Sequence, residues 1–407
     1  MAEDKSHNIL IASDPICFTG FSKSAFMLKN GIFAEISDQS ICFYDRKGLK
    51  KDIEKINVEN CQIVCNESEV ESFMLKEIFE QPLALKRQVE TYKKNNVLRR
   101  LDKNFIKKFD RAMFVACGSA FHAGLIGAKY FETLLNLPSE AVVASEFVYN
   151  KRVFDKKTLF VLISQSGETA DTLKALQTIK KAGAYSLAIT NVAHSSLAQS
   201  ADLSLDICAG PEIAVASTKA YVCMLSAMYL LAKNVCGEID QGFKDILDAS
   251  NKLLDFDFNK VEALATCLKQ EKMVVMIGKN FDYVTALEAA LKLQEIAYIY
   301  TMALPAGELK HGYLALVEEG INIISFAGEK NLLPKMINAG LEAQSRGGVL
   351  TMVSPWSGDG IMLPITNQFL LPIVSIVPMQ YLAYRVSTLK NLSPDKPRNL
   401  AKSVTVE

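Results

Sequence analysis

The sequence predicts an α/β protein built from two tandem copies of a doubly wound parallel-sheet domain. Continuous apolar runs, such as Ala112–Ala116 and Leu159–Ile163, alternate with stretches of helical spacing, which is typical of parallel strands covered on both faces. The first run recurs in the second half as Met273–Gly278, and Ile321–Phe326 repeats the second. A length of 407 residues exceeds one ordinary core and suits two or three domains. We therefore expect one α/β unit to occur twice.

The segment before the first copy has a different pattern. Ile32–Ile36 and Ile41–Tyr44 alternate apolar and polar residues, which predicts short antiparallel strands, with Asn30-Gly31 as a tight hairpin turn. From Glu71 to about residue 104 the spacing becomes helical, and Pro82 is expected to interrupt it. This stretch is interpreted as a helical connector.

Composition excludes several functional classes. Acidic and basic residues balance at 45 each, which argues against a nucleic-acid-binding protein and requires a local site for any phosphorylated substrate. The N-terminal residues lack the pattern of a signal peptide. Val222–Ala232 is too short to span a membrane, and Leu370–Leu382 is also short and is interrupted by Pro372 and Pro378. A cytoplasmic protein without a membrane segment is expected.

Metal and cofactor sites are not indicated. The nine cysteines are odd in number and scattered, so free thiols are expected. The one close pair, Cys61 and Cys65, is weak evidence for zinc because no second pair accompanies it. Four histidines are too few to favour a histidine-built centre. We expect neither a metal nor an organic cofactor.

The strongest local signal is the stretch Ser164–Thr169, which reads SQSGET between a buried strand and a helix. Ligands of open α/β sheets bind beyond the carboxyl ends of strands, where helix N-termini favour anions. Three hydroxyls in six residues exceed what an ordinary helix cap with Glu168 in the first turn requires, so the stretch predicts a phosphate cradle. The turn Cys117–Ala120 is a candidate second wall of the same cleft.

The second copy carries a charged pattern. Glu288, Lys292 and Glu295 share one helix face, although such a pattern by itself usually marks a solvated surface. His311 follows in a glycine-containing loop, where a lone histidine is more often merely solvated. The polar segment from Lys396 to Glu407 has no meaning by itself, because short polar tails are usually unstructured.

Taken together, these motifs resemble the glucosamine-6-phosphate synthase family, glutamine-dependent amidotransferases that make glucosamine 6-phosphate from fructose 6-phosphate. SQSGE occurs in any sugar-isomerase (SIS) domain, whereas KLQE, ELKHG and KSVTVE are much more specific to the synthases. The matching stretches, in order along the chain, are Cys117–Gly124, Ser164–Thr172, Glu212–Tyr221, Ala289–Ile296, Ala306–Gly312 and Pro397–Glu407.

The resemblance implies a domain organisation. The expected segments are a truncated glutaminase-domain β remnant of the Ntn type at 1–66, a helical connector at 67–104, a first SIS domain with the phosphate cradle at 105–235, a second connector at 236–268, a second SIS domain with the catalytic base at 269–390 and a tail closing the site at 391–407.

The resemblance also assigns catalytic roles. Glu295 matches the base that moves a proton between C1 and C2, and His311 matches the group that opens the sugar ring. In the family this histidine reaches in from the neighbouring subunit, which implies a homodimer. Lys402 matches the lysine that forms a Schiff base, which needs a neutral amine and hence a pKa lowered by desolvation or nearby cations. Lys292 assists near the sugar oxygens.

The remaining matches imply substrate binding, with fructose 6-phosphate and ammonia as the reaction partners. The residues that match positions holding phosphate, hydroxyls or the closing tail are Ser119, Ser164, Gln165, Ser166, Thr169, Glu212, Val215 and Arg398. Three positions depart from the family pattern: Ala120 replaces a usual serine, Pro211 a usual threonine and Tyr313 a usual proline. None of the three removes a catalytic group. His122 is interpreted as structural and His194 as solvated.

The N-terminal part of the chain departs most from the family pattern. Residues 9–66 resemble only the end of the family's glutaminase domain, which uses an N-terminal cysteine as nucleophile, whereas here Ala2 follows Met1 and the first cysteine is Cys17. Glutamine hydrolysis is therefore not expected of this chain. A truncated product, one half of a split synthase and an enzyme using free ammonia remain as explanations. The strands of this remnant are expected to be marginal or to need a partner.

Two further functions remain open. An SIS-type deaminase or deglycase of amino-sugar phosphates would share the phosphate cradle and the base. A non-catalytic sugar-phosphate-binding regulator would keep Ser164–Thr169 but could lose Glu295, His311 and Lys402, all of which are present.

Overall fold

The computed structural model describes residues 1–4, 8–11, 21–26, 28, 31–37, 40–53, 55–57, 71–149, 156–356, 358 and 360–405. The chain divides into two compact units, Met1–Val70 and Glu71–Glu407. Cys61 and Cys65 lie outside the described residues.

The first unit contains two small antiparallel sheets, as the alternating pattern predicts. One sheet has the order β2-β1-β3-β7 and the other the order β4-β5-β6. The strands are β1 (Ala2–Glu3), β2 (Ile9–Leu10), β3 (Ser24–Phe26), β4 (Ile32–Ser37), β5 (Ser40–Asp45), β6 (Lys50–Lys51) and β7 (Lys55–Asn57).

The predicted position of the hairpin turn is wrong. Strand β4 pairs with β5, and the register joins Ser37 to Ser40, so the connection of this hairpin lies between those two residues. Gly31 precedes β4, and the strand before it, β3, belongs to the other sheet. Gly31 does have a positive φ of 88°, which explains why a glycine stands there. Asn30 lies outside the described residues.

The second unit contains two five-stranded, all-parallel sheets, which confirms the predicted fold class. The orders are β12-β11-β10-β8-β9 and β14-β13-β15-β16-β17, so the copies have the same topology. The strands of the first sheet are β8 (Arg111–Ala116), β9 (Ser139–Val143), β10 (Thr158–Ser164), β11 (Tyr185–Thr190) and β12 (Leu203–Asp206). Those of the second are β13 (Met273–Gly278), β14 (Tyr300–Pro305), β15 (Asn322–Phe326), β16 (Val349–Ser354) and β17 (Ile361–Met362).

Twelve α-helices are assigned within the described residues, and several short 3-10 turns accompany them. The α-helices are α1 (Phe73–Asn95), α2 (Lys103–Ile106), α3 (Gly118–Leu135), α4 (Ala144–Phe147), α5 (Ala170–Lys181), α6 (Ser196–Ser200), α7 (Lys219–Cys236), α8 (Ile239–Lys252), α9 (Phe258–Leu268), α10 (Phe281–Ala297), α11 (Leu333–Gln344) and α12 (Leu371–Leu389).

The largest hydrophobic core is shared by the two copies. Helix α3 of the first copy packs against α7 and α10, and α10 of the second copy packs against α12. Helix α7 is buried along nearly its whole length because it is apolar on every side. The contact between α3 and α10 brings the first turn of α3 close to the charged face of α10, and this junction positions the candidate site.

Pro82 does not interrupt the connector helix, contrary to expectation. Helix α1 runs continuously through it. A proline lacks the N–H that would bond to the carbonyl four residues earlier, here Ile78. The side chain of Gln81 supplies the missing donor, because its Nε2 lies 3.0 Å from the Ile78 oxygen and 2.8 Å from Gln380 Oε1. A neighbouring side chain thus replaces the lost backbone hydrogen bond.

The prolines near the C-terminus also leave a helix intact. Pro372 stands in the first turn of α12, where no N–H is needed, and Pro378 lies inside the helix. The stretch Gln368–Leu389 is long and apolar enough to cross a membrane by length and composition alone. However, 83% of that apolar window is buried within the fold, where α12 packs against α9 and α10. It is the core helix of this unit.

Candidate active site

The candidate site begins at the carboxyl ends of β8 and β10, the two adjacent strands at which the strand order of the first copy reverses. From β8 the chain continues to β9 on one side and then returns to β10 on the other. The N-termini of α3 and α5 follow these two strands, so their free backbone N–H groups meet at one edge of the sheet. Ser119 lies in the first turn of α3, and Ser164–Thr169 leads into α5.

The hydroxyl groups of the SQSGET loop form a small network. Ser164 Oγ lies 2.9 Å from Thr169 Oγ1 and accepts a hydrogen bond from Gly167 N at 3.0 Å. Ser166 Oγ accepts from Glu168 N at 3.1 Å. Gly167 has a φ of 67°, and a Cβ there would lie 2.1 Å from Ser195 Oγ, so only glycine fits. Gln165 is half-buried, and its carbonyl accepts from Asn191 N.

The ordinary helix-cap interpretation does not describe this loop. Thr169 is the N-cap of α5, but its side chain makes no capping hydrogen bond. Glu168 instead accepts from Ser196 N at 2.7 Å, at the start of α6. The hydroxyls are therefore bonded to one another and to neighbouring N–H groups, an arrangement that an anion could enter by exchanging partners.

The charged face of α10 is buried, so it is not a solvated surface. Glu288 and Lys292 are 0% exposed, whereas the Glu295 side chain is 22% exposed. Lys292 Nζ lies 3.3 Å from Glu288 Oε1 and 2.6 Å from Glu295 Oε2. The triad therefore runs from a buried carboxylate through a buried ammonium to an accessible carboxylate.

Two residues of α3 complete this cluster. Ser119 Oγ donates to Glu288 Oε1 at 2.8 Å and accepts from Lys292 Nζ at 3.1 Å. His122 Nδ1 lies 2.7 Å from Glu288 Oε2. The side chains of Ser119 and His122, one helical turn apart, thus tie the first copy to the triad of the second.

The electrostatics of the cluster keep Lys292 charged. Burial acts to lower the pKa of Lys292, but the carboxylates of Glu288 and Glu295 outweigh it, so the pKa lies above its ordinary value. Burial likewise acts to raise the pKa of Glu288, but Lys292 and the contacts from His122 and Ser119 outweigh it and the pKa is lowered. Lys292 is therefore a fixed cation rather than a nucleophile or a base.

The C-terminal tail is bound to the first copy. Ser403 Oγ lies 3.1 Å from Ser166 Oγ, and the carbonyl of Val404 accepts from Ala170 N at 3.1 Å. Lys402 directly precedes these two residues, and its Nζ lies 2.6 Å from Glu212 Oε2. The tail therefore lies against the SQSGET loop at the N-terminus of α5.

Glu212 is held at the N-terminus of α7. Its Oε1 accepts from Thr218 N at 2.9 Å and from Ala220 N at 3.0 Å, and the residue is 4% exposed. Burial acts to raise the pKa of Glu212, but the Lys402 ammonium and these N–H groups outweigh it, so the pKa is lowered. Lys402 thus meets a carboxylate, whereas the prediction of a neutral amine invoked desolvation or nearby cations.

Val215 and Arg398 also belong to the tail contacts. Val215 N donates to the carbonyl of Asp395 at 3.1 Å, so this residue does make a backbone contact, but to the tail. Arg398 N donates to the Tyr298 hydroxyl at 2.7 Å, and the Arg398 guanidinium lies 4.2 Å from the centre of the Tyr298 ring. These contacts hold the tail on both copies.

Lys292 and Glu295 form an ion pair, whereas no described hydrogen bond or ion pair brings Lys402 or, within this single chain, His311 to them. The side chain of His311 is exposed after the 3-10 turn Ala306–Lys310. Among the described residues no hydrogen bond or ion pair joins it to Glu295 or Lys402. His194 is exposed, as expected.

Two charged or titratable residues near the site were not predicted to take part. His122 was interpreted as structural, yet it contacts the buried carboxylate of the triad. Its position three residues after Ser119, on the same helix face, was the available signal. Glu77 of α1 contacts the loop that carries Glu212, and nothing local in its sequence indicated this. Among the described residues, no group of three or more His, Cys, Asp or Glu side chains could hold a metal ion.

Comparison with known proteins defines the class of this protein. A family model described as SIS domain matches residues 105–234 and 267–389. The protein is therefore an α/β protein with two tandem SIS domains, which confirms the predicted repeat.

Curated relatives define the family within that class. The glutamine–fructose-6-phosphate aminotransferase (isomerizing) of Clostridium tetani is 38% identical over 424 aligned positions, which cover 98% of this chain and 69% of the relative. The protein of the same name from Caldanaerobacter subterraneus subsp. tengcongensis is 39% identical with the same coverage. This chain belongs to the family of isomerizing glutamine–fructose-6-phosphate aminotransferases. The predicted enzyme class, an aminotransferase and sugar-phosphate isomerase, is confirmed.

Solved structures agree with this assignment. The C-terminal domain of the glucosamine-fructose-6-phosphate aminotransferase from Francisella tularensis superposes with a TM-score of 0.74 at 31% identity, covering 82% of this chain and 100% of that one. A glucosamine-6-phosphate deaminase from Thermotoga maritima superposes with a TM-score of 0.69 at 27% identity, covering 82% and 99%.

Proposed function

We propose that this chain converts fructose 6-phosphate and ammonia to glucosamine 6-phosphate, with Lys402 as a Schiff-base lysine. The observation that carries the proposal is the position of the C-terminal tail. Ser403 contacts the SQSGET loop, and Val404 contacts the first residue of α5. Lys402, the residue before Ser403, forms an ion pair with Glu212. A nucleophilic lysine and an anion-binding edge therefore belong to one local structure.

The phosphate of the substrate binds at the edge formed by β8 and β10. Ser164, Ser166 and Thr169 offer hydroxyls, and the start of α5 offers N–H groups and the positive end of a helix dipole. Gln165 and Ser119 supply further hydrogen bonds. Because the chain has no net charge, this local set rather than a general basic field holds the phosphate.

Ring opening is assigned to His311 of a second copy of the chain. The residue is exposed in this copy, and within the described part of the chain no hydrogen bond or ion pair joins it to Glu295 or Lys402. Proton transfer to the ring oxygen needs hydrogen-bond contact. A homodimer in which each His311 serves the neighbouring site satisfies this requirement.

Lys402 then attacks the C2 carbonyl. The ammonium first gives a proton to Glu212, which lies 2.6 Å away and can act as the acceptor. The neutral amine forms the C2–N bond, and the carbonyl oxygen leaves as water. Ammonia adds to this imine and displaces the Lys402 amine, which leaves a C2 imine of the sugar itself.

Proton transfer between carbons completes the reaction. Glu295, the accessible carboxylate of the triad, takes a proton from C1 and returns it to C2. The O1 hydroxyl loses its proton to the imine nitrogen, so that O1 becomes the aldehyde oxygen and the nitrogen becomes the amine of the product. Lys292, a fixed cation, stabilises negative charge on the sugar oxygens in the intermediate. Glu288 and Ser119 hold Lys292 in place. The sum is fructose 6-phosphate plus ammonia to glucosamine 6-phosphate plus water.

Product analysis tests the proposal. The chain is incubated with fructose 6-phosphate plus ammonium, plus glutamine or with neither, and products are identified by NMR and mass spectrometry. We expect glucosamine 6-phosphate with ammonium, no product with Lys402→Ala, and normal turnover with Lys396→Ala, an exposed lysine of the same tail. Full turnover by Lys402→Ala would remove the Schiff-base assignment. Product from glutamine alone would show that this chain also hydrolyses glutamine.

Deamination of glucosamine 6-phosphate is the second candidate function. The Thermotoga maritima structure with that name covers most of the chain at 27% identity, and the same groups can run the reaction backwards. Incubation with glucosamine 6-phosphate and measurement of released ammonia separates the two directions. A regulator would bind fructose 6-phosphate without any turnover.

A further inference from the structure

Helix α1 directs a buried carboxyl group at the loop that holds Glu212. Glu77 is 2% exposed, and its Oε1 accepts hydrogen bonds from Ile213 N and from Ala214 N, the latter at 3.3 Å. These two residues follow Glu212 directly in the chain. The position of the Glu212 backbone, and with it the partner of Lys402, therefore depends on Glu77.

The other oxygen of Glu77 has no partner. Within the described part of the chain, Oε2 is buried and makes no hydrogen bond. A carboxylate that is buried with one oxygen unpaired is costly, whereas the protonated carboxylic acid is tolerated much better. Burial first and the Glu212 carboxylate second raise the pKa of Glu77 to about 8.

Two cations also act on this carboxyl group. Lys402 of the tail and Lys219 of α7 act in the opposite direction, lowering the pKa of Glu77. Lys219 is itself paired with Glu80, one turn further along α1, at 2.7 Å. Around neutral pH the pair of Lys402 and Glu212 therefore faces a neutral Glu77, and at alkaline pH it faces a second negative charge.

We infer that Glu77 is a positioning residue for Lys402: its carboxyl group holds the loop that presents Glu212, and its ionisation sets the charge that Lys402 meets. This inference rests on the proposed function of Lys402. One neighbouring carboxylate, Glu212, can accept the proton of the ammonium, which frees the amine. Two carboxylates hold the ammonium more firmly and oppose formation of the neutral nucleophile.

The direction of the pH effect follows from this arrangement. Below the pKa of Glu77 the group is protonated and Schiff-base formation proceeds. Above it, Glu77 is ionised and Lys402 is retained as an ammonium, so the rate of imine formation falls. An ordinary lysine environment would instead make the amine more available as the pH rises.

The test uses Glu77→Gln, which keeps an oxygen for the two N–H groups but cannot ionise. Imine formation is measured by borohydride trapping of fructose 6-phosphate on the tail peptide, quantified by mass spectrometry, and kcat is measured in parallel. For the native chain the ratio of trapping at about pH 9 to that at about pH 7 should be near one tenth, and for Glu77→Gln it should be about tenfold higher. Glu90→Gln, an exposed glutamate of the same helix, should keep the native ratio.

Each outcome has a defined meaning. Equal pH profiles for the native chain and Glu77→Gln, or a uniform loss at every pH, would reduce Glu77 to a structural role and overturn the inference. If Glu77→Gln does not fold by near-ultraviolet circular dichroism, the native profile decides: no fall of trapping on the alkaline side overturns it. Absence of trapping at every pH in the native chain overturns both the inference and the Lys402 mechanism, whereas the other failures leave that mechanism intact.

Discussion

The two SIS copies have the same strand order but different chemistry at the ends of their central strands. In the first copy, the N-termini of α3 and α5 follow β8 and β10, with Ser119 as the second residue of α3 and hydroxyls along Ser164–Thr169. In the second copy, Asp282 is the second residue of α10, and the segment after β15 reads Ala327-Gly328-Glu329. Asp282 Oδ2 accepts from Gly328 N at 2.8 Å.

This difference supports the proposal that the substrate phosphate binds in the first copy and not in the second. The backbone N–H groups beyond a central parallel strand favour an anion in both copies. In the first copy, small hydroxyls hold the loop and can exchange partners with a phosphate. In the second copy, the carboxyl group of Asp282 already occupies that position. The second copy contributes instead through the face of α10, where Glu288 and Lys292 meet Ser119.

The junction between the copies should give the largest effect when it is broken. Lys292→Met removes the buried cation and leaves Glu288 buried at 0% exposure without its charge partner. Loss of one member of a buried pair costs about 3 to 5 kcal/mol, so the free energy of unfolding in urea should fall by about that amount. Turnover of fructose 6-phosphate should be lost as well.

Two variants sharpen this prediction. Lys335→Met changes an exposed lysine of α11 and should alter the unfolding free energy by less than about 0.5 kcal/mol. Lys292→Met combined with Glu288→Leu removes both charges, and it should recover much of the stability but none of the activity. A single Lys292→Met variant as stable as the native chain would contradict the description of Glu288 as a carboxylate that depends on Lys292.

The occupied anion position of the second copy should appear in the pH dependence of stability. Burial raises the pKa of Asp282 to about 7, with Glu329 adding to it against hydrogen bonds from two N–H groups. The folded state therefore holds a proton that the unfolded state loses near its ordinary pKa of 3.8. The contribution of Asp282 to stability is fully present below that value and is lost as the pH rises towards 7. Asp282→Asn should remove this loss, a relative gain of up to about 4 kcal/mol at the higher pH.

Thermal unfolding of both chains across this pH range measures the effect. Asp255→Asn, at an exposed aspartate, should leave the native pH dependence unchanged. If Asp282→Asn and the native chain lost stability in parallel between about pH 4 and 7, Asp282 would not be the titrating group.

The fold was largely predictable because its central strands are buried on both faces. Runs such as those in β8, β10 and β13 are continuous and apolar, and they recur in order. The flanking strands β9, β12, β14 and β17 were not predicted, since they are short or partly exposed and lack that signal. The prediction that Pro82 interrupts the helix was wrong because the Gln81 side chain replaces the hydrogen bond that the proline removes. Gln81 also contacts Gln380, which is far away in the chain and could not be foreseen as its neighbour.

The elements of the candidate site were predictable where they are local in sequence. The hydroxyl-rich loop after β10 and the shared face of Glu288, Lys292 and Glu295 both follow from spacing. Their burial could not be foreseen, because it arises from the packing of α10 on α3. The ion-pair partner of Lys402 could not be predicted either, because Glu212 is far away in the chain and no sequence pattern joins the two.

The smallest effect compares one hydroxyl in each copy. Ser166→Ala removes a donor from the proposed phosphate site, and a hydrogen bond to a charged group contributes about 1.5 to 3 kcal/mol. The KM for fructose 6-phosphate should therefore rise about 10- to 100-fold, with a smaller change in kcat. Steady-state kinetics with ammonium as nitrogen donor measures both constants.

The matched change is Ser325→Ala in β15, the strand of the second copy that corresponds to β10. Within the described part of the chain, Ser325 Oγ is buried without a hydrogen-bond partner, so its removal should leave KM unchanged and not lower stability. Equal effects of the two variants on KM would mean that the substrate phosphate is not bound by the first copy alone. The asymmetry proposed between the copies would then have to lie in their catalytic groups, and not in where the anion binds.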